Sequence, residues 1–127
     1  MEPDMTPEAA IYSFLSGFGI PAYASSSVPD QAAFPYITYD LTTGDWGEEV
    51  NLTANVWYRT TGEAIPNAKV REIGQAIGHG GVTLPCDGGM IWVKKGSPWA
   101  QAMTIDGESE IVKRMFLNIT LEFLTTD

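Results

Sequence analysis

The chain has 127 residues, of which 44% are hydrophobic and 18% charged, and this composition fits a single globular domain spanning residues 1–127. It contains no apolar run of about 18 residues, so we expect no membrane-spanning helix. Its first residues do not form a basic region followed by an apolar region, so we expect no secretory signal. The single cysteine, Cys86, excludes an internal disulfide.

The net charge of −9 is distributed unevenly along the chain. Residues 1–58 contain eight acids and no Lys or Arg, whereas residues 59–127 contain eight acids and seven bases. This distribution argues against a surface that binds phosphates, because nucleic-acid affinity depends on clustered Lys and Arg. Two interpretations remain open: a solubilising surface, and a surface that repels DNA.

The first predicted element is a helix over Pro7–Phe18. Thr6 is a typical N-cap, proline is favoured at the first helical position, and Gly19 suits the residue that ends a helix. The stretch Ile20–Ala33 contains three consecutive serines and two prolines, which predicts a loop with at most a short strand at Pro21–Ala24.

A strand hairpin and a second helix are predicted next. Phe34–Leu41 and Val50–Arg59 alternate apolar and polar residues and are separated by a turn-like segment, which predicts an antiparallel pair. Gly62–Gly78 then changes to helical spacing, with Val70, Ile73, Ala76 and Ile77 on one face.

The remaining segments all predict strands. Val82–Cys86 and Met90–Lys94 flank the turn Asp87-Gly88-Gly89, and a short strand is expected at Trp99–Ile105. Ile111–Leu124 alternates over 14 residues with an almost wholly apolar odd-numbered face, and so long a strand is costly at an edge. The order α-β-β-α-β-β-β-β predicts an α+β fold: an antiparallel or mixed β-sheet with two main helices packed on one face.

Candidate catalytic residues are few. His79 is the only histidine and follows a predicted helix end, where histidine commonly caps carbonyls, and Cys86 is interpreted as a buried, inert thiol. Asp106, Glu108 and Glu110 have the alternate spacing of cation-binding loops but lack the other ligands of a calcium loop, so a solvated hairpin tip is favoured. We therefore expect no catalytic, cofactor or metal site.

The order of elements resembles that of the tail terminator, or tail completion, proteins of long-tailed, lambda-like bacteriophages. The resemblance depends on the helix Pro7–Phe18, the strand Phe34-Pro35-Tyr36-Ile37-Thr38-Tyr39, the strand Leu52–Tyr58 leading into the helix Glu63–Ile77, and the closing strand near Met115-Phe116. It covers nearly the whole chain but consists of order and spacing, and no motif separates a terminator from other neck proteins.

The resemblance implies a structural virion protein, assembled in the host cytoplasm, that forms a hexameric ring at the head–tail junction. Such a ring ends polymerisation of the tail tube and provides the surface on which the head connector docks. The implied partners are further copies of the chain, the tail tube protein and the connector or neck protein, with DNA passing through without specific binding and no membrane contact.

Two sets of residues are candidates for these contacts. The candidate lumen-facing acids are Asp45, Glu48 and Glu49, and the candidate subunit or tube interface comprises Trp46, Trp57, Trp99, Asp106 and Glu108. The alternatives are another neck protein such as a head–tail adaptor, a small cation-dependent hydrolase using His79 with the Asp106–Glu110 acids, and a monomeric binding module.

Overall fold

The computed structural model describes residues 6–41, 49–103 and 112–125, which form two α-helices and six strands. The elements in chain order are α1 (Pro7–Leu15), β1 (Ala22–Ala24), β2 (Tyr36–Leu41), β3 (Glu49–Arg59), α2 (Ala64–Ile77), β4 (Val82–Cys86), β5 (Gly89–Met103) and β6 (Val112–Thr125). No helix within these residues is both long and apolar enough to cross a membrane.

Helix α1 begins as its sequence predicts but ends earlier. The Thr6 Oγ1 accepts a hydrogen bond from the Ala9 N–H at 3.1 Å, and proline occupies the first turn. The α-helix stops at Leu15, and Ser16–Phe18 tighten into a 3₁₀ turn before Gly19, whose φ of 82° is left-handed. Such tightening is common at helix ends, where the last carbonyls lack α-helical partners.

The six strands form one mixed sheet in the order β1-β2-β3-β6-β5-β4. Only the β1–β2 pair is parallel; the β2–β3, β3–β6, β6–β5 and β5–β4 pairs are antiparallel. The long final strand therefore lies inside the sheet, as its length predicts, with its backbone hydrogen-bonded to β3 on one side and β5 on the other.

The predicted break before Trp99 is wrong, because β5 is a single strand. Its register against β6 shifts between Lys95 and Ala100, so that residues 96–99 bulge opposite Asn118 alone. A Cβ on Gly96 would lie 2.9 Å from the Cβ of Asn118, and glycine allows this close approach. Gly96 and Pro98 therefore mark a bulge and not a strand end. Residues 104–105 of the predicted short strand lie outside the described residues.

The core lies on one face of the central strands and confirms the alternation of β6. Met115, Leu117, Ile119 and Leu121 are buried and pair in register with buried residues of β3. Both helices contribute to the same core, with Ile11 and Leu15 from α1 and Val70, Ile73 and Ile77 from α2. The structure thus gives a mixed α+β fold, while the placement of both helices on one side of the sheet stays an expectation.

The predicted apolar face of α2 is wrong at one position. Ala76 is exposed, and Gly74 is buried instead. A Cβ on Gly74 would lie 3.2 Å from the Trp99 Nε1, so the glycine lets the indole approach the helix. The helix needs a small residue there because a large aromatic ring fills the space.

Candidate interaction surface

The sheet has a second face, opposite the core, formed by the alternate residues of β1, β2, β3, β5 and β6. Its side chains in the central strands are mostly half-buried, in contrast to the fully buried side chains on the core face. This face is the candidate interaction surface, because it combines large aromatic rings with charged side chains.

Six side chains form what we call the aromatic–arginine cluster at one end of this face. The members are Tyr23, Phe34, Tyr36, Trp57, Arg59 and Arg114. Tyr36 is at the centre: its ring centroid lies 6.1 Å from that of Tyr23, 5.2 Å from that of Phe34 and 6.3 Å from that of Trp57, on which it stacks. Tyr36 therefore contacts three other aromatic rings outside the core.

The strand register positions the cluster. Tyr36 pairs with Trp57, and Trp57 pairs with Arg114, so the three side chains form one row across β2, β3 and β6. The Arg114 guanidinium carbon lies 5.5 Å from the Trp57 ring centroid, and that of Arg59 lies 5.3 Å from the Phe34 centroid. Both are within the range of a cation–π interaction.

Hydrogen bonds from the next row orient the large side chains. Trp57 Nε1 donates to Thr38 Oγ1 at 2.9 Å, and Arg114 Nε donates to Asn55 Oδ1 at 2.7 Å. Because these bonds satisfy the indole N–H and one guanidinium N–H, the other guanidinium donors remain to contact a partner. The cluster is a preorganised surface.

The cluster coincides with the basic end of the sheet. Arg59, Lys113 and Arg114 occupy three successive registers of the β3–β6 pair. Among the described residues neither arginine forms an ion pair with a carboxylate. In a chain of net charge −9, this local excess of positive charge favours an acidic partner.

The opposite end of the second face is acidic and contains an ion-pair network. Lys94 Nζ lies 3.0 Å from Glu49 Oε2 and 3.2 Å from Glu122 Oε1, and it also lies 4.3 Å from the Trp92 ring centroid. The hydrogen bond to Glu49, together with that to Glu122, raises the pKa of Lys94 although partial burial opposes the shift. One cation thus separates two glutamates that face each other in register.

A second acidic feature lies at the sheet edge, in what we call the acidic groove. It has a volume of about 330 Å³ and is lined by Glu8, Asp40, the side chains of Ala24, Tyr39 and Leu41, and two serines. The Ser25 hydroxyl donates a hydrogen bond to Asp40 Oδ1. The groove combines exposed carboxylates with an apolar lining, the chemistry that accommodates a guanidinium or an aromatic ring.

The structure places only some of the residues that the sequence singled out. Trp57 belongs to the aromatic–arginine cluster, whereas Trp99 is half-buried against the core, with Lys95 Nζ 5.8 Å from its ring centroid. Trp57 and Trp99 are therefore not brought together in one surface. Glu49 belongs to the ion-pair network, and the remaining candidates, Asp45, Trp46, Glu48, Asp106 and Glu108, lie outside the described residues.

Tyr36 and Arg114 are two of the five cluster members that sequence reasoning missed, since only Trp57 was singled out. They come from strands far apart in the chain, and only the β2–β3–β6 register brings them onto Trp57. A signal existed for Tyr36, because it falls on the polar face of a strand with clear alternation, where a large aromatic is unusual, whereas an arginine on a polar face is ordinary and Arg114 carried no such signal.

The residues considered for catalysis are separate from this surface. His79 is exposed in the turn after α2, and Cys86 is half-buried at the end of β4. Burial raises the pKa of the Cys86 thiol, and the nearby charges of Asp87 and Glu8 raise it further, which disfavours the reactive thiolate. Across residues 6–41, 49–103 and 112–125, no group of three or more His, Cys, Asp or Glu side chains could hold a metal ion.

Comparison with known proteins gives a likeness to a solved virion structure but none to a known sequence family. No protein-family model matches the chain, and no curated protein matches it by sequence. Among solved structures, a chain from the virion of a native gene transfer agent particle superposes with a TM-score of 0.65 at 16% sequence identity. The match covers 93% of this chain and 94% of that chain, so the two share a fold over nearly their whole length.

Proposed function

We propose that this chain is a structural protein of a phage-like virion and acts as its tail terminator, capping the tail tube at the head–tail junction. The observation that carries the proposal is the fold shared along almost the entire length with a chain of a gene transfer agent virion. The sequence resemblance to tail terminators, which depends on the order and spacing of elements, supports the same role.

The proposed assembly is a closed ring, for which six copies are expected from the resemblance. A tube end requires a ring of head-to-tail contacts, since a two-fold dimer would bury the same patch on both subunits and close without a channel. A rigid sheet with different chemistry at its two ends supports such contacts, because head-to-tail association needs two dissimilar surfaces on each copy.

In this proposal three acids of the first half line the opening through which DNA passes. Asp45, Glu48 and Glu49 would keep the channel negative, so that phosphates are not held by released counterions. Glu49 contributes less than its formal charge, because Lys94 pairs with it. Replacing Asp45 and Glu48 with lysine therefore tests the channel charge more sharply than replacing Glu49.

Complementation of a terminator-deficient phage tests the role. Tails assembled without the protein should grow tubes of uncontrolled length that fail to join heads, and adding the wild-type chain should restore tails of uniform length that attach to heads. Electron microscopy of tube lengths and plating of infectious particles provide the readouts. Tubes of uncontrolled length in the presence of well-folded protein would contradict the terminator assignment.

The same experiment distinguishes a tail terminator from a head–tail adaptor. If the protein were a head–tail adaptor, tails assembled without it would have uniform tube length and would fail only at the step of joining heads.

A cation-dependent hydrolase would need the Asp106, Glu108 and Glu110 carboxylates. The variant Asp106→Asn with Glu108→Gln should then abolish function without altering ring formation. Under the terminator proposal, any defect caused by these changes is accompanied by a loss of assembly.

A further inference from the structure

We infer that the aromatic–arginine cluster of one copy docks on the acidic groove of the next copy, and that this contact builds the ring. The inference rests on the proposed function, which requires self-assembly, and it names the two surfaces that meet.

The two surfaces are complementary in charge and chemistry. The cluster presents two arginines that lack carboxylate partners within the described part of the chain, beside four aromatic rings. The groove presents Glu8 and Asp40 with an apolar lining, within a volume of about 330 Å³ that can admit a guanidinium or a ring. Arginine and aromatic side chains are the types most enriched at the centres of protein interfaces.

Their positions make the contact directional. Tyr36 of the cluster and Asp40 of the groove lie at opposite ends of β2, about 13 Å apart at a strand rise of about 3.3 Å per residue. A copy cannot bring its own cluster onto its own groove across a rigid strand. Pairing the cluster with the groove of a neighbour uses a different patch on each side, which is the head-to-tail geometry that closes rings.

A nucleic acid is the competing occupant, since stacked aromatics with arginines also suit single strands. The charge of −9 and the absence of Lys or Arg before Arg59 disfavour it, because long-range repulsion opposes phosphates. A second copy is also acidic overall, but its groove offers two exposed carboxylates, Glu8 and Asp40, for local pairing with the arginines. A second copy of the chain is therefore the occupant that the charges favour.

Charge reversal and its compensation test the inference. Arg59→Glu and Glu8→Arg change exposed residues on opposite sides of the proposed contact, and each should weaken self-association about 100-fold or more, measured by mass photometry and sedimentation velocity. The double variant and an equimolar mixture of the single variants should regain the wild-type assembly, because opposite charges again meet. Arg71→Glu and Glu63→Arg change exposed residues outside both surfaces and should assemble as wild type.

The outcomes separate this inference from the proposed function. Rings formed by Arg59→Glu at wild-type concentration, or failure of the double variant to recover while its circular dichroism and melting temperature match wild type, would overturn the docking assignment and leave the terminator role intact. A wild-type chain that stays monomeric alone and also caps no tubes would overturn both. Normal assembly of Arg59→Glu with loss of single-stranded DNA binding would identify the cluster as a nucleic-acid site instead.

Discussion

Replacing Leu117 with alanine should remove the side chain at the centre of the core face and cost a large part of the total stability. Leu117 has no solvent exposure, and its register partners on both sides, Ala54 and Ala100, are themselves short. Neighbours in the same row therefore cannot fill the void, which places the expected loss in the upper part of the range for such substitutions, about 4 kcal/mol.

The loss converts to a measurable shift in melting temperature. An unfolding entropy of about 2.1 cal/mol/K per residue gives about 0.27 kcal/mol/K for the 127 residues, so the midpoint should fall by about 15 K. The assay is thermal unfolding followed by circular dichroism, with urea titration to establish that the m-value is unchanged.

Thr120→Ala provides the matched control on the second face of the same strand. Its side chain is half-buried, and the change should cost less than about 1 kcal/mol, or less than about 4 K. Equal shifts for Leu117→Ala and Thr120→Ala would show that the two faces of β6 are not distinguished by burial, and the core assignment would be wrong.

Three further predictions address stability and reactivity. Lys94→Met should cost up to about 1 kcal/mol at low salt by leaving Glu49 opposite another carboxylate. Because pairing with Glu49 and Glu122 raises the pKa of Lys94 above its usual 10.5, the difference in urea midpoint between wild type and variant should be fully present from neutral pH up to 10.5 and vanish as pH rises through the folded-state pKa. The Cys86 thiol should react with an aromatic disulfide reagent at pH 8 more slowly in the folded chain than in urea, since burial raises its pKa; equal rates would contradict the burial. Gly81→Ala should lower the melting temperature far more than Gly80→Ala, because Gly81 has a φ of 89° and a Cβ there would lie 2.5 Å from the Trp92 Nε1, whereas a Cβ on Gly80 would meet no atom within 4 Å.

The extent to which the sequence predicts this fold differs from strand to strand. The faces of β3 and β6 follow from simple alternation, because one side is buried and the other is not. The continuity of β5 was not predictable from local pattern, since Gly96 and Pro98 normally end a strand and only the neighbouring Asn118 shows why a bulge replaces the end.

The candidate surface was harder to predict than the core. Trp57 could be singled out because an aromatic on a polar face is unusual, but its partners depend on which strands become neighbours. Pairing of β3 with β6 joins segments separated by an entire helix and a hairpin, and no local signal specifies it. The acidic groove likewise combines a helix start with two strands, so it exists only after tertiary assembly.

The strand order has a consequence for how the protein is made. The strands β1, β2 and β3 emerge from the ribosome first and β4 and β5 later, yet the two groups touch within the sheet only through β6. Until β6 is synthesised, β3 and β5 each expose an unpaired edge, and the core lacks the buried side chains of β6. Folding of the sheet must therefore wait for β6 and is dominated by contacts distant in sequence, which predicts slow folding for a domain of this size. A chain interrupted before Val112 would lack the strand that unites the sheet, so incompletely synthesised copies would be excluded from assembly by their failure to fold.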